Sequence, residues 1–165
     1  MAYYRIDRRD FEIGDTITPN AAFINNVNEQ GVEVERILEN LRPETKPNRN
    51  EIVKLFDSFI AAKKYWVLDP NSKFYEVEIA ETDILHRGNY PLVERLAKET
   101  DEGIKNRIAN EYWNDEVVDD TIAENYVNEA RVIRIVCKDE KIRNNTKRHL
   151  YNLPTIPKIP ILADE

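Results

Sequence analysis

The stretch ARVIRIV, at residues 130–136, carries the strongest strand signal in the chain. Four of its seven residues are Val or Ile, and β-branched side chains favour extended backbone. Other segments show alternating or dense apolar residues and are predicted as strands too. They are YYRI (3–6), DFEIGDTITP (10–19), EIVKLFDS (51–58) and KFYEVEIAE (73–81). Within the second of these, Gly14 and Asp15 predict a turn.

Helical segments lie between these strands. Apolar residues at helical spacing, or suitable capping residues, predict helices at 31–42, 59–68, 91–100 and 101–113. Ser58 is placed to cap the second of them. The segments PETKPNRN (43–50) and ILHRGNY (84–90) are predicted to be loops. This order of elements predicts an α+β fold with a small, mixed or antiparallel sheet flanked by helices.

The length of 165 residues suits one domain, which we place at residues 1–150. The remaining segment, 151–165, has prolines at 154, 157 and 160, and this spacing favours an extended conformation. Apolar residues between the prolines predict that the tail docks on its own domain. The alternative is that it binds a partner, such as a proline-recognising domain.

Composition argues against several classes of function. With only four glycines, the chain contains neither of the common Gly-rich phosphate-binding motifs. A net charge of −7 argues against nonspecific nucleic-acid binding. Cys137 is the single cysteine, and the two histidines, His86 and His149, lack chelating spacing, so no metal site is expected. The absence of a long apolar run predicts a cytoplasmic protein without a membrane span.

The remaining polar candidates suggest a carboxylate-centred site. Arg5 stands within an otherwise apolar strand, Ser58 stands at a helix start, and Glu124 and Glu129 precede the last strand. A cation, a helix N-terminus and a carboxylate together suit a diphosphate ligand whose sugar develops positive charge. Each residue also has a structural interpretation: a surface charge for Arg5, an N-cap for Ser58 and solvated charges for the glutamates. Two further arginines, at positions 8 and 9, are expected to be solvated in the turn after the first strand.

The quoted motifs resemble those of a known family. YYRIDRRDFEIGDTITP (3–19), VKLFDSFIAAKKYW (53–66) and KFYEVEI (73–79) resemble the corresponding segments of the rifampin-modifying ADP-ribosyltransferases. ILHRGNYPLVERL (84–96) and ARVIRIV are similar to segments of uncharacterised bacterial and phage relatives with the ADP-ribosyltransferase-like fold. The resemblance covers about half of the chain.

The resemblance implies a split sheet that binds NAD in a cleft, as a substrate. ADP-ribose would pass to an acceptor of unknown class (protein, nucleic acid or small molecule) with release of nicotinamide. Arg5, with Tyr4 beside it, would anchor the NAD phosphates or ribose, and Ser58 would orient the nicotinamide ribose. Glu129 or Glu124 would be the catalytic carboxylate, and Glu129 is preferred because it directly precedes the last strand.

The resemblance also suggests residues that contact the rest of NAD. Tyr65, Trp66 or Tyr90 would stack on nicotinamide or adenine, although aromatic residues at helical spacing also suit a core. His86 and Arg87 would contact the adenosine phosphate. The alternative, from a different class, is a non-catalytic binding or interaction protein on the same fold, acting as an inhibitor or antidefence factor.

Overall fold

The computed structural model describes residues 1–20, 28–118 and 121–164, and all structural statements below refer to these residues. They form an α+β protein with five α-helices and seven strands. The helices are α1 (Glu29–Asn40), α2 (Phe59–Leu68), α3 (Tyr90–Lys98), α4 (Glu102–Asn114) and α5 (Glu140–Leu150). The strands are β1 (Tyr3–Asp7), β2 (Thr16–Ile17), β3 (Val53–Phe56), β4 (Lys73–Glu78), β5 (His86–Asn89), β6 (Ala123–Val127) and β7 (Ala130–Cys137).

The chain divides into two compact units. The first unit contains residues 1–17, 55–79 and 130–165, and the second contains residues 18–54 and 80–129. The chain therefore leaves the first unit and returns to it twice, and each unit is assembled from segments that are distant in the sequence.

The sheet of the first unit is antiparallel. Its strands follow the order β2-β7-β4-β1-β3, of which the last contributes its final two residues to this unit. Arg5 of β1 lies opposite Tyr75 of β4, and Tyr4 lies opposite Phe56 of β3. The predicted turn is confirmed, because Gly14 has a φ of 94° and the Asp15 N–H donates to the Glu12 carbonyl oxygen over 3.0 Å.

Helices α2 and α5 pack together in the first unit. Tyr4 and Ile6 point toward α2, where they join a core that contains the fully buried Trp66 and Phe74. Because side chains alternate across a strand, Arg5 lies on the other face of the sheet. Arg5 therefore lies on the side of the sheet away from this core.

The second unit packs α1, α3 and α4 with the antiparallel pair β5 and β6. Its core includes Leu38, Ile108 and Trp113, whose indole N–H donates to the Leu38 carbonyl oxygen over 2.8 Å. In β5, Gly88 is required by close packing, because a Cβ there would overlap the Tyr112 ring. This contact sets the distance between α4 and β5.

Several segments differ from the sequence-based prediction. Strand β6 (Ala123–Val127) was not predicted, and within residues 10–19 only Thr16–Ile17 form a strand. Residues 84–90 were predicted as a loop, but His86–Asn89 form β5. The predicted list of helices also lacked α5, which has few apolar residues and therefore a weak periodic signal. Polar interactions favour this helix instead: the Asp139 side chain accepts from the N–H groups of Lys141 and Ile142, and basic residues occupy the last turn.

The proline-rich segment after α5 is attached to the first unit by hydrogen bonds. The Asn145 side chain accepts from the Ile156 N–H over 2.8 Å and donates to the Ile159 carbonyl oxygen. Thr146 Oγ1 accepts from the Leu162 N–H over 2.8 Å, and Lys63 pairs with Asp164. Two adjacent side chains of α5 therefore hold the backbone of the segment at three residues.

We predict that Asn145→Ala destabilises the protein by about 1–3 kcal/mol, because it removes the hydrogen bonds between the buried Asn145 side chain and the backbone of the proline-rich segment. Urea unfolding followed by circular dichroism measures the loss. The neighbouring Asn144→Ala is the matched control, since Asn144 is exposed and its side chain accepts a hydrogen bond from Arg143 within α5. Equal losses in both variants would show that Asn145 does not hold this segment.

Candidate functional site

Arg5 is partly buried on β1, with 13% of its side chain exposed. Its Nε and Nη2 donate to Oδ2 of Asp7 over 3.0 and 2.9 Å. Burial would raise the pKa of the Asp7 carboxyl, but hydrogen bonds and positive charge from Arg9 and Arg5 outweigh that effect and lower it. Asp7 is therefore ionised at neutral pH and orients Arg5.

Arg8 and Arg9, which were expected to be solvated, are about one third exposed and are also paired with carboxylates. Arg9 donates from its backbone N–H and its Nε to Oδ1 of Asp7, and its Nη2 donates to Oδ2 over 2.9 Å. Arg8 donates from Nε and Nη2 to Asp69. The sequence does not reveal these pairs because the partner of Arg8 is 61 residues away, and because the chain bends back after β1 to bring Arg9 to Asp7.

Ser58 lies at the N-terminus of α2, directly after β3. Its Oγ accepts a hydrogen bond from the Ala61 N–H over 3.2 Å, so the predicted N-cap is confirmed.

Tyr4 is buried, with its ring centroid 5.4 Å from that of Phe59. Tyr65 is partly exposed and its ring lies 5.6 Å from Phe56.

The two candidate glutamates occupy different environments. Glu124 is buried on β6, whereas Glu129 is exposed in the two-residue link between β6 and β7. Of the two, Glu129 is therefore the one that is accessible to a ligand in solution. Glu124 belongs instead to a buried polar cluster of the second unit.

This cluster, which we call the Arg49 cluster, consists of Arg49, Glu35, Glu124, Tyr112 and Tyr126. The Arg49 side chain is 3% exposed and donates to both carboxylates, with Nε–Glu35 Oε2 at 2.7 Å and Nη1–Glu124 Oε2 at 2.8 Å. Its Nη1 also donates to the hydroxyl oxygens of Tyr112 and Tyr126. The Tyr112 hydroxyl donates in turn to Glu124 over 2.7 Å.

The charges of the Arg49 cluster stabilise one another. Burial would raise the pKa of both carboxyls, but the Arg49 charge holds the pKa of Glu35 at about 2 and lowers that of Glu124. Burial raises the pKa of both tyrosines, which stay neutral donors. The cluster thus links α1, the short 3-10 helix Arg49–Glu51, α4 and β6 through buried ionic hydrogen bonds.

His86 lies beside the Arg49 cluster and is 6% exposed. Its ring centroid is 5.0–5.5 Å from the rings of Tyr112, Trp113 and Tyr126. In the described part of the chain, no group hydrogen-bonds its buried Nε2. Burial, with a smaller effect of Lys46, lowers the pKa of the imidazole to about 4, although the Glu124 charge opposes this. Neutral His86 is therefore part of the core.

Within each unit the structure brings some of the predicted site residues close together. In the first unit, the strand that carries Tyr4 and Arg5 pairs with the strand that leads to Ser58. In the second unit, β5 and β6 pair so that Arg87 lies opposite Asn125 and Gly88 lies opposite Glu124. Sequence reasoning missed Arg49, which lies within the segment 43–50 that was predicted as a loop. It also missed Asp7, which ends β1 directly after the predicted strand 3–6.

Two kinds of feature are absent from the described residues. No three His, Cys, Asp or Glu side chains there are grouped so that they could hold a metal ion. None of the helices described is long and apolar enough to cross a membrane. Comparison with known sequences gives no assignment, because the chain matches no protein-family model and no curated protein.

We predict that Arg49→Met destabilises the protein by about 3–5 kcal/mol, because two buried carboxylates lose their cation. Thermal and urea unfolding measure the effect. Arg36→Met is the matched control: it also breaks a pair with a glutamate, Glu33, but that pair is exposed and should contribute little. Similar losses in the two variants would contradict a stabilising role for the Arg49 cluster.

The lowered pKa of His86 predicts that the stability of the protein depends on pH. Its pKa is about 4 in the folded chain against an ordinary 6.5, so protonation favours the unfolded state. Its contribution is complete above pH 6.5 and is lost as the pH falls from 6.5 toward 4. Unfolding free energies measured between pH 7 and 5 should decrease for the wild type and for the exposed His149→Gln, and should change less for His86→Phe. An unchanged slope in His86→Phe would exclude His86 as the cause.

Proposed function

We propose that the chain is an NAD-dependent ADP-ribosyltransferase with an ADP-ribosyltransferase-like fold. The observation that carries this proposal is the pairing of β1 with β3 in the first unit. Tyr4, next to Arg5, lies opposite Phe56, two residues before Ser58. Arg5 thus lies on one strand of the sheet. Ser58, at the N-terminus of α2, follows the adjacent strand.

Arg5 and Ser58 offer separate contacts to the diphosphate and ribose of NAD, because Arg5 lies on the face of the sheet away from the core that contains α2. The Arg5 guanidinium provides charge-assisted hydrogen bonds to phosphate, and the N-terminus of α2 favours negative charge. Capping uses Ser58 Oγ as an acceptor. Because a hydroxyl group donates as well as accepts, its proton can still bind a ribose oxygen.

Glu129 is the catalytic carboxylate in this proposal. When the bond between nicotinamide and the ribose C1′ breaks, positive charge develops on the sugar, and a carboxylate near the 2′-hydroxyl stabilises it. The acceptor then forms its bond to C1′ and loses a proton, while nicotinamide leaves. Glu124 is less suited to this role, since its Oε2 already accepts from Arg49 and Tyr112.

A second candidate is the non-catalytic binding protein. The observation in its favour is that three proposed site residues have structural partners: Arg5 binds Asp7, Ser58 caps α2 and Glu124 binds Arg49. In such a protein, these groups hold the fold together without turnover. Nicotinamide release separates the two candidates.

We predict that the wild-type protein releases nicotinamide from NAD in the presence of cell lysate as a source of acceptors. Glu129→Gln should reduce the rate by about 10²–10³-fold, because it removes the charge that stabilises the transition state. Liquid chromatography of nicotinamide gives the rate, and unfolding curves verify that the variant folds. Glu129 is the useful position, since replacing Glu124 would also disrupt the Arg49 cluster.

Glu44→Gln is the matched control, because Glu44 is likewise exposed and lies in a loop of the same unit. It should release nicotinamide at the wild-type rate. Absence of release by the wild type with every lysate would favour the non-catalytic candidate. Equal rates for wild type and Glu129→Gln would remove Glu129 from the mechanism.

A further inference from the structure

We propose that the C-terminal part of the first unit is a docking surface for an acidic segment of another protein. Four cations and two apolar side chains, all of them exposed, form this C-terminal surface: Lys141, Lys147, Arg148, Lys158, Leu153 and Ile156. Binding at this surface is independent of the transferase activity proposed above.

Positive charge is concentrated at this end of the sequence. Residues 141–163 contain five lysines and arginines and no aspartate or glutamate, whereas the whole chain has a net charge of −7. The rest of the sequence therefore carries −12. One of the five cations, Arg143, is buried and paired with Glu140, so the other four supply the exposed charge. A cationic surface on an acidic protein favours anionic partners.

Carboxylates of the protein itself do not neutralise these four cations. Within the described residues, none of the four lies at ion-pair distance from an aspartate or glutamate. Glu140 precedes Lys141, but both of its carboxylate oxygens accept from Arg143. Arg148 donates one hydrogen bond, from Nη1 to the Pro154 carbonyl oxygen over 3.2 Å. An external anion can therefore pair with these side chains without displacing a carboxylate.

The dipole of α5 explains only part of this arrangement. Cations near the C-terminus of a helix stabilise it, so Lys147 and Arg148 in the last turn favour the fold. Lys141, by contrast, lies in the first turn, where positive charge is unfavourable, and Lys158 lies outside the helix. Because seven residues separate Lys141 from Arg148, these two side chains lie on the same side of α5. Helix stability thus does not account for all four cations.

Leu153 and Ile156 are exposed although the segment that carries them is fixed. They are 55% and 45% exposed. The Leu153 N–H donates to the Arg148 carbonyl oxygen over 2.7 Å, and the Ile156 N–H donates to the Asn145 side chain over 2.8 Å. The backbone is thus held to α5 while the apolar side chains face solvent. A partner can bury such side chains at a low cost in conformational entropy.

An acidic protein segment fits these features better than a nucleic acid or a membrane does. Arg148 contacts residues 153–154 through its backbone and its side chain, so cations of α5 lie beside the apolar residues. The partner must therefore offer anions and apolar groups together. A phosphate backbone offers no apolar group to Leu153 and Ile156, and a wide anionic bilayer also repels the acidic remainder of the protein. A short acidic segment meets the C-terminal surface alone.

Binding of a synthetic peptide tests this assignment. The probe is a fluorescently labelled peptide of repeated Asp-Glu-Leu units, and fluorescence anisotropy measures its affinity for the full chain. We expect the affinity to fall by about tenfold or more when the units are Asn-Gln-Leu, and by a smaller factor when they are Asp-Glu-Ser. Added salt should also weaken binding, since the four cations are exposed.

Two pairs of variants locate the binding site on the protein. Lys147→Glu should weaken peptide binding by about tenfold or more, whereas Lys98→Glu should stay within about twofold of the wild type. Lys98 is the matched control because it is exposed and lies in the last turn of α3, so both replacements alter the same dipole interaction. Leu153→Gln should weaken binding by about threefold or more. Leu68→Gln should not, although Leu68 is likewise 55% exposed.

Three results would overturn the assignment to the C-terminal surface. They are a wild type that does not bind the acidic peptide, equal losses in Lys147→Glu and Lys98→Glu, and tighter binding to phosphatidylserine vesicles or single-stranded DNA than to the peptide. Dimers in sedimentation experiments that Lys147→Glu abolishes would also overturn it, by identifying a second copy of the chain as the occupant. Thermal unfolding verifies that each variant folds. Nicotinamide release reports on the transferase separately and should be equal in the wild type and Lys147→Glu.

Discussion

The second unit depends on one buried cation. Arg49 has no access to water that could solvate its charge, and Glu35 and Glu124 are nearly as buried, so each ion is stable only because the others are present. Two carboxylates on one guanidinium leave an excess negative charge, and Lys54, 3.6 Å from Glu35, offsets part of it. The helices and strand that supply these groups must therefore pack in a single arrangement.

The first unit contains the opposite ratio of charges. There, one buried carboxylate, Asp7, holds two guanidiniums that reach toward solvent. Both groups satisfy a buried ion with charge-assisted hydrogen bonds, but they differ in the exposure of the ions around it. In the Arg49 cluster, the partner carboxylates of Glu35 and Glu124 are 11% and 8% exposed, whereas the side chains of Arg5 and Arg9 beside Asp7 are 13% and 32% exposed.

Much of the secondary structure could be predicted, because it rests on local patterns. The strands at residues 3–6, 51–58 and 130–136 and the helix capped by Ser58 follow from apolar density and capping chemistry. The candidate site was predicted less completely. Arg5 was identified because a charge within an apolar strand is unusual, but its partner Asp7 and the role of Arg9 follow from hydrogen bonds that no residue pattern encodes.

By itself, the sequence determined the α+β class, most element positions and the face on which Arg5 lies, since alternation and helical periodicity depend only on neighbouring residues. The tertiary structure alone decided which charges are paired. Arg49 meets Glu124 across 75 residues, and His86 becomes a neutral core residue because rings from α4 and β6 surround it. Likewise, β5 is a strand because β6 supplies its hydrogen-bonding partner, although its own residues are polar. Burial and distant pairing set the charge state of a group, and both arise only when the chain has folded.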